Sequence, residues 1–190
     1  MRKLSASDFS VMPWKNGGGT TTQLAVHPHG AGIDGFGWRV SMASVASDGP
    51  FSAFPGVDRS LAIVDGAGLR IAGPAMPEQV LLPSSPVFRF QGEAEIHASL
   101  AGGPVTDFNV MTRRAQWRHA LERIRLQGDL TLGGADGALA FCLHGSITCG
   151  TMTVQAGEAL QVDVVDTLRF STRTTATFFL ARFFEGQAHV

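Results

Sequence analysis

The chain is written in short apolar or alternating runs, each closed by glycine, proline or another turn former. That punctuation constrains the fold more than any single motif. "FGWRVSMASV", "RSLAIVD", "GLRIA", "QVLLP", "PVFRFQG", "AEIHASL" and "DFNVM" are followed by "LAFCLHG", "SITCGTMTV", "ALQVDVV", "TLRFST" and "ATFFLARFF". Many short strands at this spacing predict an all-β sandwich or barrel, not a parallel α/β sheet. Only two stretches invite a helix. "SASDFS" fits one short turn, and "RRAQWRHALERIRL" is open: Trp117, Leu121 and Ile124 fit a helix, while Trp117, His119 and Leu121 fit a strand.

An internal echo divides the 190 residues. "SLAIVDGAGLRI" (60–71) resembles "ALAFCLHGSITC" (138–149), and "PVFRFQGEAEIHASLAGG" (86–103) resembles "DTLRFSTRTTATFFLARF" (166–183). Agreement in order and spacing is what a duplication leaves behind. The expected organisation is two small β-barrels, one over 1–112 including the N-terminal segment and one over 113–190. The seam lies near 112–127, and exchange of strands between the units stays open.

Several function classes are disfavoured. A net charge of −1 with 16% charged residues gives no footprint for nucleic acid or an acidic membrane surface. The arginines between 113 and 125 are interrupted by Glu122 and read as a solvated face or an inter-domain contact. Cys142 and Cys149 lack CxxC spacing and read as reduced core residues. No signal-peptide pattern and no apolar run of about 20 residues is visible, so a cytoplasmic protein that does not enter a membrane is expected. The histidines do not make a metal set: His27 and His29 flank Pro28 in a turn-like "HPHGAG", and the others are scattered. No metal and no cofactor are expected. "MPWKNGGGTTTQ" is not a phosphate loop either. Its lysine precedes the glycines, and the β-branched "TTTQLAV" that follows reads as a strand.

Period-two geometry sorts the remaining polar residues. Arg39 and Ser41 share one strand face, as do Asp107, Asn109, Met111 and Arg113. Asp58 and Arg59 are adjacent, so they face opposite ways unless the backbone bulges. An acid or guanidinium buried without partners costs several kcal/mol, so inside a barrel these groups must pair or meet a ligand.

"PWKNGGGTTTQ", "WRVSMASVASDGPFSAFPGVDRSLAIVDGAGLRI", "FQGE" and "GPVTDFNVMTRR" together resemble the HutD/Ves family of cupin-like proteins, over about residues 4 to 125. The resemblance implies a bicupin, with two jelly-roll-like barrels in one chain. It also implies a cytoplasmic protein tied to histidine utilisation, in a regulatory or intermediate-binding role, with formylglutamate and urocanate as candidate ligands. The chain departs from metal-dependent cupins: "FSAFPGVDR" stands where an HxH and its partner ligands would fall. The glycine run then leads into a strand that brings Lys15 and Asn16 to a cupin mouth.

The expected function is metal-free binding of a small carboxylate by Lys15, Asn16, Arg39, Ser41, Asp58, Arg59, Asp107 and Asn109. Arg39 offers bidentate geometry to the acid. The alternative is an enzyme on a similar acid, with Asp107 or Asp58 as general base beside Lys15. A protein-interaction module is a third option, and a homodimer is compatible with the sequence.

Overall fold

The structure is a computed structural model that describes residues 1–14 and 17–186. It is built almost entirely of strands: β1 (Arg2–Leu4), β2 (Ser10–Pro13), β3 (Gly19–His27), β4 (Trp38–Val45), β5 (Gly49–Pro50), β6 (Val57–Asp65), β7 (Leu69–Gly73), β8 (Met76–Leu81) and β9 (Phe88–Gln91) come first. β10 (His97–Leu100), β11 (Val105–Arg113), β12 (Trp117–Ala135), β13 (Gly137–His144), β14 (Ser146–Cys149), β15 (Met152–Gln155), β16 (Ala159–Val162) and β17 (Val165–Glu185) follow. A single 3-10 turn at Ala6–Asp8 accounts for "SASDFS". The segment that fitted either period is strand, because Trp117 to Leu126 pair residue by residue with Glu185 to Ala176.

Two compact units emerge, Ser10–Gln116 and Met1–Phe9 with Trp117–Val190. The N-terminal segment, read from the sequence as part of the first barrel, instead pairs through β1 with β16, and Leu4 is buried there.

The unit over Ser10–Gln116 holds two antiparallel sheets, β2-β3-β4-β11-β6-β9 and β5-β10-β7-β8. Leu61 and Ile63 of β6 pack in one core with Leu69, Ile71, Leu81 and Ala98 from the smaller sheet and with Ile96 just before β10. The inner faces of both sheets therefore meet, as in a sandwich or flattened barrel.

The other unit is one sheet, β1-β16-β13-β17-β14-β15, with β12 also on β17. Its core is apolar: Ala138, Ala140 and Cys142 alternate along β13 opposite Phe178 and Leu180 of β17. Both cysteines are free and buried. The echo is half structural. Residues 60–71 and 138–149 are each two strands joined at glycines with positive φ, Gly66 and Gly68 in one and Gly145 in the other. Residues 86–103 make two short strands, whereas 166–183 run inside the single strand β17.

Adjacent glycines in β12 test the closeness of this sheet. A Cβ on Gly134 would sit 2.0 Å from the Val165 carbonyl oxygen, while one on Gly133 meets nothing within 4 Å. Gly134→Ala is expected to cost roughly 1–3 kcal/mol, since backbone must move to admit the methyl. Gly133→Ala is expected to be near neutral or slightly stabilising. Urea denaturation of the two variants side by side checks both.

Candidate functional site

The β4–β11–β6 register turns separate sequence patches into one polar face. In an antiparallel sheet, paired residues stand on the same side. Asn109 pairs with Ser41 on β4 and Leu61 on β6, Asp107 with Ala43 and Ile63, and Met111 with Arg39 and Arg59. Arg39, Ser41, Arg59, Asp107 and Asn109 thus occupy three consecutive rows of one face. That face is the core side, because Ala43, Leu61 and Ile63 in the same rows belong to the apolar core. All five are buried.

The arginines are held differently. Arg39 Nε donates to Gln23 Oε1 at 2.8 Å. Gln23 reaches it because β3 and β4 are in register at Gln23–Ser41 and then shift by one residue before Ala25. Such a bulge re-aims side chains. The Arg59 guanidinium lies in an aromatic cage, 5.3 Å from the Phe51 ring centroid, 5.5 Å from Phe54 and 4.9 Å from Phe90. Cation–π attraction of this kind strengthens as water is removed. Arg59 also donates from Nη1 to the Ser52 carbonyl at 3.3 Å. Two of its cage rings and that carbonyl come from residues 51–54, between β5 and β6.

Neither arginine has an ion-pair partner of ordinary length among the described residues. The ion pairs there join Arg2 to Asp8, Lys3 to Glu158, Arg70 to Glu78, Arg182 to Glu122, the N-terminal amine to Asp163, and Arg114 to both Asp58 and Glu93. Burial pushes the Asp107 carboxyl up to about 7, against opposing pulls from Arg59 and the Ala43 backbone. Burial pushes Arg59 down to about 10, with Asp107 holding it up and the nearby Arg39 charge pressing it further down. Arg39 is lowered by burial alone. At neutral pH both guanidiniums stay charged, so two like charges share a dry face. Asp107 Oδ1, Asn109 Oδ1 and Arg59 Nε have no hydrogen-bond partner among the described residues.

A cavity of about 530 Å³ is lined in part by Trp14, Val45, Asp48, Phe51 and Ser52, and none of the five polar residues is on its wall. Phe51 and Ser52 are the Arg59 supports, and Val45 lies on β4 one row beyond Ala43 and Asp107. Trp14 is fixed by donation from Nε1 to Thr21 Oγ1 at 2.8 Å. The cavity wall and the surroundings of Arg59 therefore share Phe51 and Ser52.

Of the residues read from the sequence, the structure brings together Arg39, Ser41, Arg59, Asp107 and Asn109. It does not bring Asp58: strand alternation puts that carboxylate on the opposite face, 2.8 Å from Arg114 Nε. Lys15 and Asn16 lie outside the described residues. Gln23 and the Phe51, Phe54 and Phe90 cage were not singled out by sequence. The bulge that positions Gln23 leaves no local signal, and Phe90 is far along the chain from Phe51 and Phe54. Among the described residues, no group of three or more His, Cys, Asp or Glu is arranged to hold a metal ion. None of their helices is long and apolar enough to cross a membrane.

Comparison with known proteins agrees with this architecture. The sequence profile of a family described as HutD matches residues 6–182. An uncharacterized 21.2 kDa protein from the hutC 3' region of Pseudomonas putida is 38% identical over 122 residues, 64% of this chain and 63% of that one. The match thus spans a little under two thirds of that relative. The crystal structure of a conserved protein of unknown function from Pseudomonas aeruginosa PAO1 is similar at TM-score 0.86 and 31% identity, covering 96% of this chain and 98% of the other. HutD from Pseudomonas fluorescens SBW25 is similar at TM-score 0.84 and 27% identity, covering 97% and 98%. The bacterial pirin YhhW of Escherichia coli, at TM-score 0.68 and 9% identity over 95% and 97%, shares the cupin-like fold alone.

Proposed function

Because this chain belongs to the HutD family, we propose that it is a metal-free bicupin that binds a small carboxylate metabolite in the unit spanning Ser10–Gln116. The observation that carries the reading is the pair of buried arginines, Arg39 and Arg59, without an ion-pair partner among the described residues. A guanidinium has five donors, and each of these two uses one in the hydrogen bonds above. Two buried guanidiniums share the face with one carboxyl, Asp107, so a further anion is favourable there. A carboxylate supplies that charge and accepts the remaining donors in a bidentate manner.

The other parts of the reading follow from the family resemblance. The chain acts in the cytoplasm as a regulatory or accessory protein of histidine utilisation, with formylglutamate or urocanate as ligand. The structure of HutD from Pseudomonas fluorescens is described as a formate condition, and formate is the simplest carboxylate. The purely apolar core of the other unit suits a supporting barrel. A second reading, proton abstraction from a bound acid, is favoured by one observation: Asp107 is poised near neutrality beside the cations. Turnover of a pathway intermediate, abolished in Asp107→Asn, would separate it from binding alone.

Thermal and urea unfolding with formylglutamate, urocanate and formate tests the binding reading. Ligand at about 100 times its dissociation constant is expected to stabilise the protein by roughly 2.7 kcal/mol. Asp58→Asn is expected to leave this stabilisation unchanged, because Asp58 faces Arg114. Arg39→Met is expected to remove most of it. No stabilisation by any of the three acids in the unsubstituted protein would overturn the proposal.

A further inference from the structure

We propose that the gap between β8 and β9 is a separate binding site, which takes an uncharged, flat aromatic molecule bearing one polar group. The proposal stands apart from the carboxylate-binding reading and does not need it.

The site follows from how the two sheets of the Ser10–Gln116 unit end. Among the described residues β8 closes the smaller sheet on β7, and β9 closes the larger sheet on β6. The two edge strands do not pair with each other. Register decides what they show to the space between them. Phe88 and Phe90 pair with Leu61 and Arg59, the inward row of β6. Gln79 and Leu81 pair with Ile71 and Leu69, which face the same core. A shift between Ile71 and Gly73 accompanies the inward turn of Met76, which packs on that core. Inward side chains on an end strand have no further strand to cover them. Met76, Phe88 and Phe90 accordingly stay half-buried. Together with Gln79, Ala94 and the buried Ile96 they line a cavity of about 500 Å³. A mostly apolar cavity with a few polar groups is how small-molecule sites are built.

The lining sets the class of molecule. The Phe88 and Phe90 rings are stacked, with centroids 5.1 Å apart and planes 22° apart. A ligand ring extends that aromatic cluster, and the Met76 thioether adds a sulfur–aromatic contact. The charged residues in the lining are Arg89 and Glu95, both exposed and opposite in sign. Their charges sum to zero, so nothing there offsets the desolvation of an ion. Gln79 supplies both a donor and an acceptor on the inward row of β8, which suits a hydroxyl or a carbonyl.

2-Naphthol and decahydro-2-naphthol test this, since they share one carbon skeleton and one hydroxyl and differ in aromaticity and flatness. 2-Naphthoate adds a charge. Dissociation constants are measured at pH 7 by NMR titration of the full chain, labelled at backbone amides and methionine methyls. Met76→Leu assigns the Met76 methyl signal. 2-Naphthol is expected to bind about 3- to 10-fold more tightly than decahydro-2-naphthol, the excess that aromatic contacts add beyond buried area. It is also expected to move the Met76 methyl upfield and to shift amides of β8, β9 and residues 94–96. 2-Naphthoate is expected to be the weaker ligand at these signals. Phe88→Ala should weaken 2-naphthol by about 10-fold or more; Phe88 is the position to change because Phe90 also supports Arg59. Equal affinities for 2-naphthol and its saturated counterpart, or tighter binding of 2-naphthoate, would overturn the class of ligand. No shift of the Met76 methyl or of the β8 and β9 amides with 2-naphthol up to about 1 mM would overturn the site. The wild-type titrations decide both points even if the alanine variant does not fold, and carboxylate binding is tested separately by the acids named above.

Discussion

Arg59→Met is expected to cost roughly 1–3 kcal/mol more stability at pH 8 than at pH 5, the range for a buried polar group that loses its compensating partner. The reason for the difference lies on β11. Arg59 is the cation that opposes the burial-driven rise of Asp107. Without it, an ionised Asp107 stands 4% exposed with no cation acting on it as strongly. At pH 8 the protein must either bury that charge or take up a proton against the solution pH. At pH 5 Asp107 is already protonated, and little is lost beyond the cage contacts. Methionine is the informative replacement because its thioether packs well against aromatic edges, so the Phe51, Phe54 and Phe90 cage stays filled. Urea denaturation at the two pH values measures the difference. An equal loss at both would mean that Arg59 acts by packing alone and does not balance Asp107.

What could be read from the sequence follows from how far each physical rule reaches along the chain. Strand alternation is local, so the shared faces of Arg39 with Ser41 and of Asp107 with Asn109 were legible, as was the split between Asp58 and Arg59. Turn chemistry is local too, and it gave the all-β class from glycine and proline spacing. Register is not local. Nothing in "WRVSMASV" or "VDRSLAIVD" says that Arg39 and Arg59 flank Met111 in one row, because that depends on where three distant strands come into step. The one-residue shift that brings Gln23 to Arg39 is equally silent in sequence. The Arg59 cage draws on Phe51 and Phe54 from a connecting segment and Phe90 from β9, more than 30 residues later. The exchange of strands between the units stayed open in the sequence for the same reason: a three-residue strand such as β1 carries too little pattern to name its partner. The second echo failed where equal spacing concealed a difference in length, two short strands against one long one.

Stability of the unsubstituted protein is expected to fall as pH rises from about 4 to about 7, opposite to the trend of most carboxylates. The sign follows from proton linkage. Asp107 moves from an ordinary value of 3.8 to about 7 on folding. Between those values the folded state binds more protons than the unfolded state, so the slope of unfolding free energy against pH is negative. The contribution is fully present below about 4, and it is lost by the time pH passes about 7. A change of this size corresponds to roughly 4 kcal/mol. At the acid end other groups pull the opposite way: Asp8 is held low by the Ser5 backbone N–H, Glu93 by Arg114 and Glu158 by Lys3. Their stabilisation is lost as pH drops below the ordinary carboxylate range, so the curve turns over at its acid end. Asp107→Asn removes the titrating group and should flatten the curve from pH 5 to 8 while keeping the acid limb. Urea denaturation at half-unit intervals reads both limbs. A wild-type curve already flat from pH 5 to 8 would mean that the Arg39 and Arg59 charges keep Asp107 ionised throughout, and that the face holds a settled ion pair rather than a carboxyl near its titration point.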